Sequence, residues 1–165
     1  MGREVMLLTA PKASLPQLYA LRLEMIRAKG IQGAELVELL ERKDAAELQQ
    51  RVNPELQWDG FVEYLQEHLD EVKQALSEGY RFKFMTVGGL RSLLEIKFGL
   101  RAEQDYVFDN NRFAGVRLHR EDYQQLRALA PDYWEILMDK EDPDMGILEM
   151  RIVHKYADNS GFYRT

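Results

Sequence analysis

The sequence predicts an α+β fold: a helical N-terminal part with one long helix over about 54–78, then a small mixed or antiparallel sheet with two helices in the order β-α-β-β-α-β-β. Three observations predict it. Between positions 58 and 76, apolar residues recur at spacings of 4, 3, 4, 3 and 4, a heptad stripe sustained over nearly three repeats. After residue 80, short runs alternate apolar and polar with period two, as half-buried strands do. Finally, 165 residues, 45% of them apolar and only five prolines, suit a chain that folds as one compact unit and buries about 70% of its unfolded surface. Within it, residues 1–79 form a mainly helical subdomain and 80–165 a sheet subdomain.

Taken in order, residues 4–9, EVMLLT, read as a strand ended by Ala10-Pro11, because the residue before proline is driven to extended conformations. Ser14 is a candidate N-cap, with Pro16 in the first turn of a helix that Gly30 stops. Shorter helices follow at about 33–41 and 44–52. Asn53-Pro54 is the predicted start of the long helix, asparagine capping and proline at the first helical position, and Gly79 its end. YRFKF at 80–84 places Tyr80, Phe82 and Phe84 on one strand face and Arg81 and Lys83 on the other. Thr86 caps the next helix, with Leu90, Leu93, Leu94 and Phe98 inward and Gly99 as its stop. DYVF and RFAGVRL make a hairpin through Asn110-Asn111, since asparagine tolerates the positive φ of a tight turn. A short helix from His119 to Ala130 precedes two last strands, 133–138 and 147–154, joined by an acidic loop. From residue 80 this order resembles a split βαβ unit with an added hairpin strand.

Composition excludes several function classes. No cysteine is present, so disulfides, thiolate metal sites and cysteine nucleophiles are ruled out, and a cytoplasmic protein is expected. The apolar run near the N-terminus is too short for a signal peptide or a membrane span, and Met6 stands where myristoylation wants Ser or Thr. A net charge of −6 opposes bulk attraction to nucleic acid. The charge is uneven, however: residues 81–120 hold 8 basic against 4 acidic residues.

Two candidate surfaces emerge. The heptad stripe Trp58, Val62, Leu65, Leu69, Val72 and Leu76 needs a mate, either another part of the chain or a protein partner or second copy. The segment 81–101 runs strand, double glycine, helix with cations at intervals. A helix start of this kind points backbone N–H groups and the positive end of the dipole at an anion. Lys83, Thr86, Gly88, Gly89, Arg91, Lys97 and Arg117 are the candidate anion-binding residues, for a phosphate, nucleotide or single strand. Neither a Walker lysine nor three spaced glycines is present, so nucleotide hydrolysis is not indicated. The bland alternative is that Gly88 and Gly89 serve close helix-to-sheet packing. Aromatic residues interleave with the cations, Tyr106, Phe108 and Phe113 among them, but without an RNA-binding signature.

The remaining constellations favour structural explanations. Residues 21–41 outline a helix-turn-helix, yet the second helix carries Glu35, Glu38 and Glu41, the wrong sign for a DNA groove. His68, His119 and His154 lack a second ligand one turn away, and Asp139, Glu141, Asp142, Asp144 and Glu149 miss the spacing of a calcium loop, so no metal is expected. No serine sits in an elbow beside a base, so no catalytic residue is assigned and no cofactor is implied. Tyr156, Phe162 and Tyr163 give the tail a docking character. The leading expectation is a non-enzymatic interaction or regulatory protein working through helix 54–78. The alternative is an anion, nucleotide or nucleic-acid binding module built on 81–101.

Overall fold

A computed structural model describes residues 13–156. The expected strand at 4–9 and the aromatic residues Phe162 and Tyr163 lie outside them. The fold is mixed α+β, with a four-stranded antiparallel sheet and a two-stranded parallel one. The chain divides into two compact units between Lys83 and Phe84.

In the first unit, β1 (Ala13–Leu15) pairs in parallel with β2 (Tyr80–Phe82), Ala13 opposite Tyr80 and Leu15 opposite Phe82. Between them come α1 (Gln17–Ala28), α2 (Gly33–Arg42), α3 (Ala45–Arg51) and α4 (Asp59–Glu78). Ser14 is a strand residue, and Pro16 occupies the cap of α1, its carbonyl accepting from Tyr19 and Ala20 at 3.1 and 2.9 Å. Proline's fixed φ thus starts the helix without a capping side chain. Asp44 caps α3 through the Glu47 amide at 3.1 Å.

The long helix starts five residues later than Pro54. Asn53 instead accepts the Glu55 amide on its side chain at 2.9 Å and the Trp58 indole N–H on its carbonyl at 3.1 Å, closing a turn before the helix. The helix is also kinked, for His68 has non-helical torsions, φ −130° and ψ 21°. Leu23, Ile26, Leu39, Leu40, Leu48 and Leu65 are fully buried, each worth about 1.5–3 kcal/mol in transfer from water.

The second unit holds α5 (Val87–Phe98), β3 (Val107–Asp109), β4 (Arg112–His119), α6 (Arg120–Leu129), β5 (Trp134–Asp142) and β6 (Ile147–His154). Strand order is β3-β4-β6-β5, antiparallel throughout. Because β4 and β5 both oppose β6, they run in the same direction on either side of it, with α6 as the crossover. The hairpin between β3 and β4 turns through Asn110 and Asn111 at φ 53° and 61°. A bulge between Phe113 and Val116 contains Gly115 at φ 73°, and a second falls between Met138 and Lys140.

The element order from residue 80 is the one read from sequence, with one displacement: β2 belongs with β1 and not with the four-stranded sheet. Phe84 leaves the strand and is 47% exposed, whereas Tyr80 and Phe82 are buried. The acidic loop is shorter than its composition suggests. Strand β5 continues to Asp142, whose carboxylate accepts the amides of Asp144 and Met145 at 3.1 and 3.2 Å to form the turn.

Candidate functional site

The heptad stripe is largely used within the chain. Trp58, Val62, Leu65 and Val72 are buried, and α4 packs against α2, α3 and β1. Leu69 and Leu76 remain half-buried. The kink at His68 falls between Leu65 and Leu69: a heptad stripe stays on one face only while the helix runs straight, and beyond the kink Val72 is buried but Leu69 and Leu76 are not.

Within the second unit the candidate anion-binding residues do not converge as a set. Lys83 ends the first unit, its amide donating to the Leu15 carbonyl at 2.7 Å. Thr86 caps α5, its hydroxyl accepting from the Gly89 amide at 3.0 Å. Lys97 sits in the last turn of α5, roughly 16 Å along the axis from Thr86 at 1.5 Å per residue. Arg117 is exposed on β4 opposite Glu149 in the ladder. Gly88 and Arg91 do come together. Both line a hollow of about 240 Å³ with Ser92, Glu95, Leu100, Ala102 and Tyr106.

This hollow is built from one helix face and the loop that follows. Gly88, Arg91, Ser92 and Glu95 stand at i, i+3, i+4 and i+7 on α5, which sets them side by side. Gly99 ends the helix in the left-handed region, φ 71°, turning Leu100 and Ala102 back beneath it, and an isolated bridge ties Ala102 to Tyr106. The Glu103 amide donates to the Tyr106 carbonyl at 2.6 Å, and Asp105 caps the Arg101 amide at 2.8 Å. The loop is thereby held in place.

Arg91 is the charged centre. Its guanidinium lies over the Phe108 ring, 4.9 Å from the centroid, and lines the hollow beside Tyr106, which is only 4% exposed. Burial raises the Tyr106 phenol above its ordinary pKa, while Arg91 pulls the other way. It therefore stays protonated at neutral pH, a hydroxyl able to donate. Glu95 pairs with Arg101 at 3.3 Å, and Arg91 makes no ion pair among the described residues. The lining thus carries one guanidinium with no ion pair among the described residues and one carboxylate, Glu95, that Arg101 pairs, beside the hydroxyls of Ser92 and Tyr106.

The double glycine is now distinguishable residue by residue. Gly89 is buried, whereas Gly88 is exposed, and a Cβ placed on Gly88 would meet only the Thr86 hydroxyl at 3.9 Å, an ordinary contact. Close packing does not demand glycine at 88. Ser92, Glu95, Tyr106 and Phe108 are not among the seven; the i, i+3, i+4, i+7 stripe in GGLRSLLE is the available signal. The loop return that adds Tyr106 and Phe108 leaves no local trace.

Elsewhere the carboxylates of the β5–β6 hairpin have structural partners: Asp139 takes Arg151 at 2.9 Å, Glu141 takes Arg120, and Asp142 holds the turn. Among the described residues no cluster of three histidines or carboxylates fits a metal, and no helix is long and apolar enough to cross a membrane. No protein-family model matches this chain, and no curated protein and no solved structure shows significant similarity to it.

Proposed function

We propose that the second unit is a binding module for a small ligand that presents an anionic group, phosphate or carboxylate, to the hollow on α5. The observation that carries the reading is the placement of Arg91. A guanidinium over an aromatic face and beside a phenol, with no carboxylate of its own, lines a polar hollow beside the first turn of a helix. With Gly89 bonded to Thr86 and Leu90 to the Thr86 carbonyl, the amides of Val87 and Gly88 are the orphan donors of that turn. Arg91, Ser92, Tyr106 and the Gly88 amide supply donors of the kind an oxyanion takes. At about 240 Å³ the hollow seats one such group and part of what bears it, and is too small to cradle a polynucleotide groove. Glu95 is engaged by Arg101, so the lining offers Ser92 no general base, and the reading is binding, not catalysis.

Calorimetric titration with inorganic phosphate, pyrophosphate and citrate tests it. Saturable binding that weakens with salt is expected, falling roughly tenfold or more in Arg91→Gln, the size of one charge-assisted hydrogen bond. Absence of heat for all three anions, or equal binding by the variant, would contradict the reading.

The protein-interaction reading of helix 54–78 rests on a narrower observation, the half-exposed Leu69 and Leu76. A protein partner or a second copy would dock on these two and not on the whole stripe. Under that reading, light scattering detects association that Leu69→Asp abolishes without unfolding the chain; a strict monomer at all concentrations speaks against the homodimer.

A further inference from the structure

The first unit carries a second hollow, about 280 Å³, between the free side of β1 and one face of α4, lined by Ala13, Ser14, Leu15, Glu71, Gln74 and Glu78. In a parallel ladder both backbone groups of alternate residues face the same neighbour. Leu15 faces β2, its carbonyl accepting from the Lys83 amide at 2.7 Å, so Ala13 faces β2 as well and the N–H and C=O of Ser14 point the other way, into the hollow. Among the described residues β1 has no strand on that side. The opposite wall is acidic: Glu71 and Glu78 project from α4 seven residues apart, with Gln74 between them donating to Glu78 at 3.3 Å. Neither carboxylate pairs with a lysine or arginine among the described residues; Glu71 meets only the His68 ring, at 2.6 Å.

We infer that this groove takes an extended, basic peptide segment of a protein partner, added as a strand on β1. The strand edge selects an extended backbone, which exchanges hydrogen bonds with Ser14. The acidic wall selects the side chains: Glu71 and Glu78 stand about 10.5 Å apart along the helix, and the long flexible stems of lysines repeating about every 6.7 Å on one face of a strand span that distance. A neutral segment would gain no attraction from those carboxylates, and an acidic one would be repelled by them. The site is independent of the anion hollow and involves different elements.

The test is nuclear magnetic resonance on the whole chain with a capped hexapeptide of alternating Lys and Thr. The expected result is a saturable shift of the Ser14 amide with at least tenfold slower hydrogen exchange, no effect from an alternating Glu and Thr peptide, and at least fivefold weaker binding by Glu71→Gln/Glu78→Gln. Strand addition uses every second peptide amide, so N-methylation of one alternate set must abolish binding while methylation of the other leaves it intact. Equal binding by both methylated peptides would reduce the contact to non-specific charge attraction and overturn the inference. So would an unmoved Ser14 amide, or a Ser14 shift that follows protein concentration without peptide, which would assign the edge to a second copy of the chain.

Discussion

Gly88 separates two accounts of the same turn. A glycine inside a helix forgoes about 0.5–1 kcal/mol relative to alanine, and nothing around this one excludes a methyl group. Gly88→Ala is therefore expected to stabilise the protein by up to about 1 kcal/mol in chemical denaturation while weakening anion binding at the amide it crowds; destabilisation would mean the glycine serves packing. A second residue-scale case is the buried pair of Tyr80 and Glu24, the phenol donating to the carboxylate in the core of the first unit. Tyr80→Phe deprives a buried carboxylate of a donor and is expected to cost about 1–3 kcal/mol. Burial first, and then the Glu24 charge, raise the Tyr80 phenol well above its usual value. The sign follows from proton counts: above the ordinary tyrosine pKa of about 10 the unfolded chain gives up this proton while the folded one keeps it, so stability falls as pH rises. Below pH 9 Tyr80 contributes no slope. Denaturant midpoints measured from pH 8 to 11 should decline above about pH 10, less steeply in Tyr80→Phe; equal slopes in both proteins would refute the assignment. None of this was legible beforehand, because Glu24 and Tyr80 are 56 positions apart and only the fold joins them.

For the elements, α4 shows what periodicity carries and what it omits. The 4-3-4-3-4 spacing identified a helix and the face it buries, and Leu65 and Val72 are inside as that spacing requires. It missed the start, which a turn closed by Asn53 delays to Asp59, and the kink, which no proline or glycine announces. Leu65→Ala is expected to cost about 2–5 kcal/mol as a cavity in a packed core, and Leu69→Ala about 1 kcal/mol, by urea denaturation. Similar costs at both sites would mean that the stripe is uniformly buried. Strand β2 makes the complementary point. Alternation in YRFKF found the strand and its buried Tyr80 and Phe82, but pairing is decided by partners distant in sequence, and β1 lies 65 residues or more upstream. The Asn110-Asn111 hairpin and the Thr86 cap were readable because their chemistry is complete within four residues.

On the molecular scale, the two compact units hold one tryptophan each, Trp58 and Trp134, both buried. Fluorescence of the Trp58→Phe and Trp134→Phe variants therefore reports each unit in turn. Phosphate is expected to raise the thermal midpoint seen by Trp134, by an amount set by mass action. The anion hollow was half legible: Gly88 and Arg91 stood out from composition and spacing, whereas Tyr106 and Phe108 enter through the return of the chain after Gly99. Within the second unit, Lys97 and Arg117, equally basic in sequence, fall at the far end of α5 and on β4. The central claim, that Arg91 anchors an oxyanion in this hollow, is tested most directly by following backbone amide resonances as phosphate is added. Saturable shifts confined to Gly88, Arg91, Ser92 and Tyr106 and lost in Arg91→Gln are expected. Shifts spread evenly over every exposed lysine and arginine, or none at all, would contradict it.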